Sequence, residues 1–432
     1  MKNIHIAYGH SGMTAQIPDE NLLGIYESAL PPAAADGYAE VVRAMDNPID
    51  SPPLEQLARG KSSCVIIASD HTRPVPSKFI IPEMLRRLRL GNPQIDITIL
   101  IATGCHRQTG KDELIAKLGQ DIVDNEKIIV HDADDDSAMV DLGALPSGGA
   151  LRLNRTAVET GLLIAEGFIE PHFFAGFSGG RKSVLPGIAA RETVMANHCA
   201  EFINSPFART GILDNNPIHA DMLSAARKAG LAFIVNVVIN SDKKIVKAFA
   251  GNAQSAHLTG CDFLKTHCCI PIPQADIVIT SNGGYPLDQN VYQAVKGMTA
   301  GEAVCRDGGV IILCAGCSDG HGGEAFYQTL KNMSSPAGLL NTISAIPRNA
   351  TTPDQWQYQI LLRIMTRFKI IIVTRHADHQ MIRDMKFDAA SSIEEALQIA
   401  FKHTSPDAKI AAIPDGVSII PGLKCSPETG NN

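Results

Sequence analysis

Apolar runs of strand length alternate with amphipathic stretches along most of the chain. The apolar runs cover residues 64–68, 95–101, 128–130 and 162–169, and the helical spacing covers residues 78–90 and 112–118. Continuous Val- and Ile-rich strands separated by helical patterns are typical of parallel sheets covered by helices on both faces. The pattern therefore predicts an α/β fold. In such sheets ligands bind at the carboxyl ends of the strands, so polar clusters directly after a strand are the first candidates for chemistry.

A second alternating series begins after Ile270-Pro-Ile-Pro273, where two prolines interrupt the pattern. Strands are predicted at 276–280, 310–315, 369–374 and 409–413, and helices at 290–304, 324–333, 355–368 and 393–401. We therefore predict two domains, each with a mainly parallel sheet flanked by helices. Residues 1–272 form a catalytic and cofactor-binding domain, 273–416 a Rossmann-like domain, and 417–432 a tail. The second domain lacks a complete G-x-G-x-x-G after its first strand, so the pattern does not favour ordinary NAD binding.

Composition narrows the function classes. The formal net charge is -7, with 45% hydrophobic and 19% charged residues, which argues against a nucleic-acid or anionic-membrane binder but leaves room for small anions. The N-terminus has no signal-like apolar region, and no stretch offers the ~18 uninterrupted apolar residues of a membrane span. A cytoplasmic protein is predicted, with its scattered cysteines as reduced thiols.

The stretch from Pro171 to Gly187 combines His172, Lys182 and several glycines after a predicted strand. Glycines let the backbone approach a ligand closely, and a lysine among them can bind phosphate or act as an amine nucleophile. A phosphate-loop reading, G-x-x-x-x-G-K-[ST], fails because Arg181 intrudes before the lysine. The stretch therefore predicts a ligand site of another kind.

Histidines follow two of the predicted strands, His106 after 95–101 and His172 after 162–169. Histidine suits proton transfer near neutral pH because its unperturbed pKa is about 6.5. A lone histidine is more often a packed or solvated side chain. Two at one sheet edge strengthen the interpretation that they transfer protons, because a pair from different strands can reach one ligand from two sides.

Four blocks in order resemble one known family, the nickel-pincer nucleotide-dependent lactate racemases. They are Ser69-Asp-His-Thr-Arg-Pro74, Ala102-Thr-Gly-Cys-His-Arg107, the stretch from Pro171 to His198, and Tyr292-Gln-Ala-Val-Lys-Gly297. The likeness covers essentially the whole chain. It implies that His106 and His172 alternate as general base and acid on the substrate hydroxyl. It also implies that a nicotinate-derived mononucleotide carrying nickel, bound by two sulfurs and one ring carbon, accepts the Cα hydride and returns it on either face.

The same resemblance implies that Lys182 joins this cofactor covalently as a thioamide and that His198 is the fourth nickel ligand. Soft sulfurs with one imidazole suit Ni(II) in a four-coordinate planar site. The predicted helix from Arg191 to Ile203 contains His198. Taken singly, Lys182 is better explained as a solvent-facing loop lysine and His198 as a core histidine, and the glycine-rich context favours the functional interpretation of both.

Two further polar sets match family segments. Asp70, His71, Thr72 and Arg73 correspond to the segment that contacts the cofactor, with Arg73 offering a planar fork for a substrate carboxylate. Gln293 and Lys296 lie three residues apart on one predicted helix and so share a face. The family uses the matching pair to bind substrate. Without the resemblance, residues 70–73 are explained as a turn with an N-cap aspartate and a surface arginine. Gln293 and Lys296 are then polar residues on the exposed face of a helix.

The resemblance implies a racemase or epimerase of a 2-hydroxy acid, lactate or a relative, that depends on cofactor-biosynthesis proteins as partners. An NAD-dependent 2-hydroxy acid dehydrogenase and a non-catalytic nickel- or nucleotide-binding protein stay open as alternatives. The sequence does not select the particular hydroxy acid, the oligomeric state or a role for Trp356.

Overall fold

The computed structural model describes residues 1–422, and these form two compact units. One unit comprises 30–264 with 347–352, and the other comprises 1–29, 265–346 and 353 onward. Each unit is built around a parallel sheet with helices, so the predicted α/β class is confirmed. The narrower Rossmann-like assignment of the second domain stays a prediction.

The elements are numbered in chain order. The strands are β1 (Lys2–Ile6), β2 (Met13–Ile17), β3 (Leu22–Ile25), β4 (Ser63–Ser69), β5 (Asp96–Ala102), β6 (Lys127–Val130), β7 (Met139–Ala144), β8 (Ala150–Asn154), β9 (Leu163–Phe168), β10 (Pro171–His172), β11 (Gly176–Phe177), β12 (Leu231–Ile239), β13 (Ile245–Asn252), β14 (Cys269–Pro271), β15 (Ala275–Ser281), β16 (Cys305–Cys314), β17 (Lys369–Val373), β18 (Asp388–Ala390), β19 (Ile410–Ile413) and β20 (Ile420–Gly422).

The helices are α1 (Gly37–Asp46), α2 (Leu54–Leu57), α3 (Ser77–Gly91), α4 (Lys111–Leu118), α5 (Gln120–Asn125), α6 (Arg155–Val158), α7 (Arg191–Asn197), α8 (Ala200–Asn204), α9 (Pro217–Lys228), α10 (Ser255–Cys268), α11 (Val291–Val304), α12 (Glu324–Asn332), α13 (Pro336–Ser344), α14 (Gln355–Met365), α15 (His379–Asp384) and α16 (Ile393–His403). Short 3-10 helices cover Asp136–Ala138, Gly180–Ser183 and Arg348–Ala350.

The unit of residues 30–264 holds a six-stranded sheet in the order β13-β12-β9-β4-β5-β6. All neighbours are parallel except β12 and β13, which are antiparallel. Ile66, Ile99 and Ile164 on the three central strands are fully buried and pack in one core cluster with α3. Because β9, β4 and β5 are parallel neighbours, their carboxyl ends meet at one edge, and the residues that follow them emerge side by side.

The other unit holds a second six-stranded sheet, β18-β17-β16-β15-β19-β3, in which every pair is parallel. The antiparallel hairpin of β1 and β2 packs onto its core through Ile4, Ile6 and Ile17. Helix α11 begins at Val291, where the Asn290 side chain accepts a hydrogen bond from the Gln293 amide and so caps the helix.

The predicted domain limits differ from the structure at both ends of the chain. Residues 1–29 belong with the C-terminal unit rather than with 30–264, since β3 pairs with β19 at the edge of the second sheet. Alternation along a strand shows that one face is buried but not against which sheet. Of the predicted tail, β20 pairs with β14, and residues from 423 onward lie outside the described part of the chain.

Two smaller expectations also change. The helix predicted from Arg191 to Ile203 is two helices, because α7 ends at Asn197 with His198 as its C-cap and α8 starts at Ala200. Among the described cysteines, eight are free thiols but Cys269 is disulfide-bonded, which corrects the prediction of reduced thiols at that position. Within residues 1–422, no helix is long and apolar enough to cross a membrane.

Candidate active site

A buried carboxylate holds the first candidate histidine. Asp70 follows β4 and is 1% exposed, and its Oδ2 lies 2.7 Å from Nδ1 of His106, which follows β5. Its Oδ1 accepts hydrogen bonds from the Thr72 hydroxyl at 2.7 Å and the Thr72 amide at 3.2 Å. Burial opposes ionisation, but the hydrogen bond and charge of His106, with the charge of Arg73, outweigh it and lower the pKa of Asp70. Asp70 is therefore an anion that orients His106.

We expect Asp70→Asn to lower kcat/KM by on the order of 10² to 10⁴, because an amide no longer fixes the tautomer and direction of the imidazole. A carboxyl group whose folded pKa is depressed stabilises the fold above its unfolded pKa of about 3.9, and this contribution disappears as pH falls through the folded value. Urea unfolding at pH 7 and pH 3 should therefore show a weaker pH dependence in the variant than in wild type. Asp112→Asn, at an exposed position of α4, is the control.

The other side chains of the Ser69–Pro74 segment contact two different neighbours. The Arg73 guanidinium is exposed and donates to the Thr72 hydroxyl at 3.0 Å, so it stands on the same side as Asp70. The His71 ring instead lies with Nδ1 3.0 Å from Thr109 Oγ1 and 3.9 Å from Glu113 Oε2. Of the four residues predicted here, Asp70 and Thr72 contact His106 at 2.7 and 3.4 Å. Arg73 contacts Thr72, whereas His71 supports the neighbouring loop.

The second candidate histidine lies against the lysine of the glycine-rich stretch. Lys182 Nζ is 3.0 Å from His172 Nε2 and 5.5 Å from the Phe174 ring centroid. The other ring nitrogen, Nδ1, accepts from the backbone amides of Phe174 at 3.5 Å and Ala175 at 3.3 Å. The His172 ring also stacks on Phe173. Backbone and aromatic contacts therefore aim Nε2 at the lysine amine.

Glycine is required where this loop turns. Gly179 and Gly180 adopt φ of +76° and +52°, the left-handed region that residues with a Cβ rarely enter. A Cβ at Gly179 would lie 2.7 Å from Asn236 Oδ1, the atom that accepts the Gly180 amide at 2.7 Å. The glycines thus let the loop pack tightly on β12 just before Lys182.

His198 has the electrostatics of a neutral ligand. Burial lowers its pKa to about 3, and the positive charge of Lys182 also lowers it, against the raising effect of the hydrogen bond with the Val194 carbonyl. That bond joins Nδ1 to Val194 O at 3.0 Å. A neutral ring that donates from Nδ1 carries its lone pair on Nε2, the form that binds a metal. Its edge meets the Phe174 ring at a centroid distance of 5.1 Å.

Backbone hydrogen bonds connect the two histidine loops. The Gly104 amide, two residues before His106, donates to Gly187 O at 2.9 Å, and the Gly187 amide donates to Lys182 O at 3.2 Å. The loop that carries His106 therefore rests on the turn that follows Lys182. Together with the shared strand edge, this brings the residues predicted after β4, β5 and β9 into one region of this unit.

The remaining predicted pair lies on α11 in the other unit. Lys296 Nζ donates to Gln293 Oε1 at 2.7 Å, so the two side chains share a helix face as their spacing predicts. The pair joins a cation and an amide, groups that bind a carboxylate and a neighbouring oxygen. Their contact with substrate stays a prediction.

Comparison with known proteins decides the family. Residues 8–211 match the lactate racemase N-terminal domain and residues 270–421 match the lactate racemase C-terminal domain. The chain is 54% identical over 422 residues to a lactate racemase of Thermoanaerobacterium thermosaccharolyticum, covering 97% of this chain and 99% of the relative. It is 52% identical to a lactate racemase of Lactiplantibacillus plantarum, covering 97% of this chain and 100% of that relative. The chain belongs to the lactate racemase family.

Solved structures agree with this membership. The lactate racemase apoprotein from Thermoanaerobacterium thermosaccharolyticum superposes with a TM-score of 0.95 at 53% identity, covering 97% of this chain and 100% of that one. A protein from Thermotoga maritima matches with a TM-score of 0.64 at 18% identity, over 89% of this chain and 98% of that one, and shares the fold. The predicted resemblance is thus confirmed, and the chain is an isomerase of the racemase class.

One buried acid of this lactate racemase family member was missed in the sequence. Glu166 on β9 is 1% exposed, and its Oε1 accepts both the amide and the hydroxyl of Ser69 at 2.8 Å. It therefore fixes the strand end from which Asp70 departs. The available signal was a single carboxylate within the apolar run Leu163-Ile-Ala-Glu-Gly-Phe168, since an acid is rarely buried without a partner.

Possible metal ligands are not grouped in the described part of the chain. Among residues 1–422, no group of three or more His, Cys, Asp or Glu side chains is arranged to hold a metal ion. The acidic run from His131 to Asp136 has exposed carboxylates, and two of them form surface ion pairs, Asp134 with Arg191 and Asp136 with Arg152. A single imidazole such as His198 fits a metal whose other ligands belong to a cofactor.

Proposed function

We propose that the chain interconverts the enantiomers of a 2-hydroxy acid, with lactate as the first candidate substrate. The supporting observation is that two histidines follow parallel strands of one sheet, β5 and β9 on either side of β4, with His106 held by the Asp70 carboxylate at 2.7 Å and His172 3.0 Å from Lys182. His106 and His172 then take the hydroxyl proton from opposite enantiomers. Family membership, with relatives named lactate racemase, supports the substrate class.

The residues also fit a nickel-pincer nucleotide. Lys182 presents an amine that would form the covalent link, and the neutral His198 ring would supply one soft-to-borderline nitrogen ligand to nickel. When bound, this group supplies a reversible acceptor for the Cα hydride. The lack of a complete protein ligand set among the described residues agrees with a cofactor that brings its own donors. Loading would require cofactor-biosynthesis proteins as partners, and the predicted cytoplasmic location would suit that supply.

The chain's own groups would do the remaining work. Asp70 keeps the His106 imidazole oriented and stabilises its protonated form after it accepts the hydroxyl proton. The exposed Arg73 fork is suited to the substrate carboxylate. Gln293 and Lys296 on α11 stay proposed as substrate-binding residues, because an amide and a cation suit a small carboxylate. In this proposal, His71 and Thr72 assist through the Ser69–Pro74 segment rather than by proton transfer.

A panel of chiral 2-hydroxy acids tests the proposal. Cofactor-loaded enzyme is incubated with each pure enantiomer of lactate, malate, and longer aliphatic and aromatic hydroxy acids, and chiral chromatography follows the approach to a 1:1 mixture. Racemisation without added NAD supports the proposal. Net accumulation of the 2-oxo acid with NAD would indicate a dehydrogenase, and nickel binding without turnover of any acid would indicate a binding protein.

Nickel retention tests the role of His198 separately. We expect His198→Ala to keep the mass adduct at Lys182 but to lose most bound nickel, because removing one of four ligands weakens the site by a factor of about 10 to 100 or more. Metal analysis of the purified protein and intact mass spectrometry measure the two quantities. His403→Ala, at the exposed last residue of α16, is the control histidine variant. Full nickel content in His198→Ala would exclude His198 as a ligand.

A further inference from the structure

A buried arginine occupies the centre of the loop between His172 and Lys182. Arg181 is 2% exposed and directly precedes Lys182 in the 3-10 helix Gly180–Ser183. Its Nη2 donates to Ala175 O at 2.7 Å, and its Nη1 lies 3.4 Å from Ser178 O and 3.3 Å from Gly179 O. One guanidinium thus reaches carbonyls at the beginning and at the end of the turn.

The remaining donors of Arg181 meet two imidazoles. Its Nε donates to His219 Nδ1 at 3.1 Å, and its Nη1 lies 2.9 Å from His257 Nε2. Burial, followed by the charge of Arg181, lowers the pKa of His219 to about 4 and that of His257 well below its usual value. Both rings are therefore neutral at ordinary pH. His219 accepts from the guanidinium through its Nδ1 lone pair, and His257 Nε2 lies 2.9 Å from both Arg181 Nη1 and the Ser178 carbonyl oxygen.

No carboxylate of residues 1–422 forms an ion pair with this guanidinium. Arg87 in the same unit is a buried arginine with the usual carboxylate partners, because it donates to Glu83 at 2.7 Å and to Asp46 at 2.6 Å. A buried cation without an acidic partner is costly unless its hydrogen bonds are complete. The planar fork of arginine satisfies several separated carbonyls at once, which the ammonium of lysine cannot do.

We propose that Arg181 is a positioning residue that fixes the 173–182 loop and thereby sets Lys182 Nζ against His172 Nε2. The carbonyls that it binds lie between these two residues in sequence, and the loop amides are ordered around them. Ser178 N donates to Glu170 O at 2.9 Å and Lys182 N donates to Gly179 O at 3.1 Å. Releasing the guanidinium would free three carbonyls and let the Lys182 backbone move away from the histidine.

Hydrogen exchange on the cofactor-free protein tests this without reference to activity. In Arg181→Met, amides of residues 173–184 should exchange on the order of tenfold faster than in wild type, because the loop loses several hydrogen bonds. Arg181→Lys should show a smaller increase, since it keeps the charge but not the fork, and it carries the test if the methionine variant does not fold.

The matched control is Arg87→Met, with Arg87→Lys as its milder form. Removing this buried arginine should accelerate exchange around α3 while residues 173–184 keep their wild-type rates. Wild-type exchange of 173–184 in both Arg181 variants would overturn the inference, and so would equal acceleration of that segment in the Arg87 variants.

A second measurement tests whether Arg181 affects cofactor attachment at Lys182, a consequence that rests on the proposed function. When the cofactor-forming proteins are co-expressed, we expect the fraction of chains with an adduct at Lys182 to fall several-fold in Arg181→Met but not in Arg87→Lys. Wild-type protein that carries no adduct would count against the proposed function, while the exchange comparison would still decide the role of Arg181. Normal loading in Arg181→Met would show that Lys182 does not depend on this arginine.

Discussion

Lys182→Ala protein, produced together with the cofactor-forming proteins, is expected to carry no covalent adduct and to lose racemase activity by on the order of 10³ or more. The physical reason is that alanine removes the amine that lies 3.0 Å from His172 Nε2, and with it both the covalent link and the placement of the reacting group. Intact mass spectrometry detects the adduct, and polarimetry or chiral chromatography measures turnover.

Lys111→Ala is the control for this experiment, because Lys111 is an exposed lysine at the start of α4 in the same unit. It should load and turn over like wild type. An adduct of unchanged mass in Lys182→Ala would place the attachment at another residue. Activity at the wild-type level without an adduct would mean that the link is dispensable.

Substitution of either acid–base histidine should have the second large effect. His106→Gln and His172→Gln are each expected to lower kcat/KM by on the order of 10² to 10⁴, the usual contribution of a positioned proton-transfer group. Glutamine keeps hydrogen-bonding capacity but cannot take a proton near neutral pH. Initial rates with each pure enantiomer provide the measurement, with nickel content and the Lys182 adduct determined on the same samples.

The equilibrium between the enantiomers constrains the rates expected for the histidine variants. Two enantiomers in water have equal free energy, so kcat/KM must be the same in both directions for every variant, even when one histidine alone is missing. Unequal kcat/KM values in the two directions would indicate a contaminating enzyme or rates that are not true initial rates. Turnover within a fewfold of wild type in His106→Gln would remove that residue from the mechanism and leave its contact with Asp70 as a purely structural one.

The Asp70 and His106 pair shows how far sequence patterns reach. Each residue follows an apolar run, and runs of this kind predict parallel strands whose carboxyl ends share an edge. The structure places β4 and β5 side by side and brings the two groups to 2.7 Å. The pattern predicted a common edge, but the hydrogen bond depends on strand order and side-chain direction, which periodicity does not contain.

His198 and Arg181 show what patterns miss. The spacing from Arg191 to Ile203 is helical throughout, yet the backbone breaks at His198, because α7 ends there and its ring turns back to the Val194 carbonyl. In the sequence, Arg181 was noted only because it breaks the spacing of a phosphate-loop motif. Its role as the centre of the loop became visible when the carbonyls of Ala175, Ser178 and Gly179 were found around its guanidinium.

The sequence by itself determined the α/β class, the family and the identity of the candidate residues, because these follow from local periodicity and from ordered motifs. Only the tertiary structure decided that β3 completes the second sheet, that His172 faces Lys182 and that Arg181 is buried without an acidic partner among residues 1–422. Those facts depend on contacts between residues distant along the chain. Burial and hydrogen bonding of this kind arise only when strand order and loop path are set together.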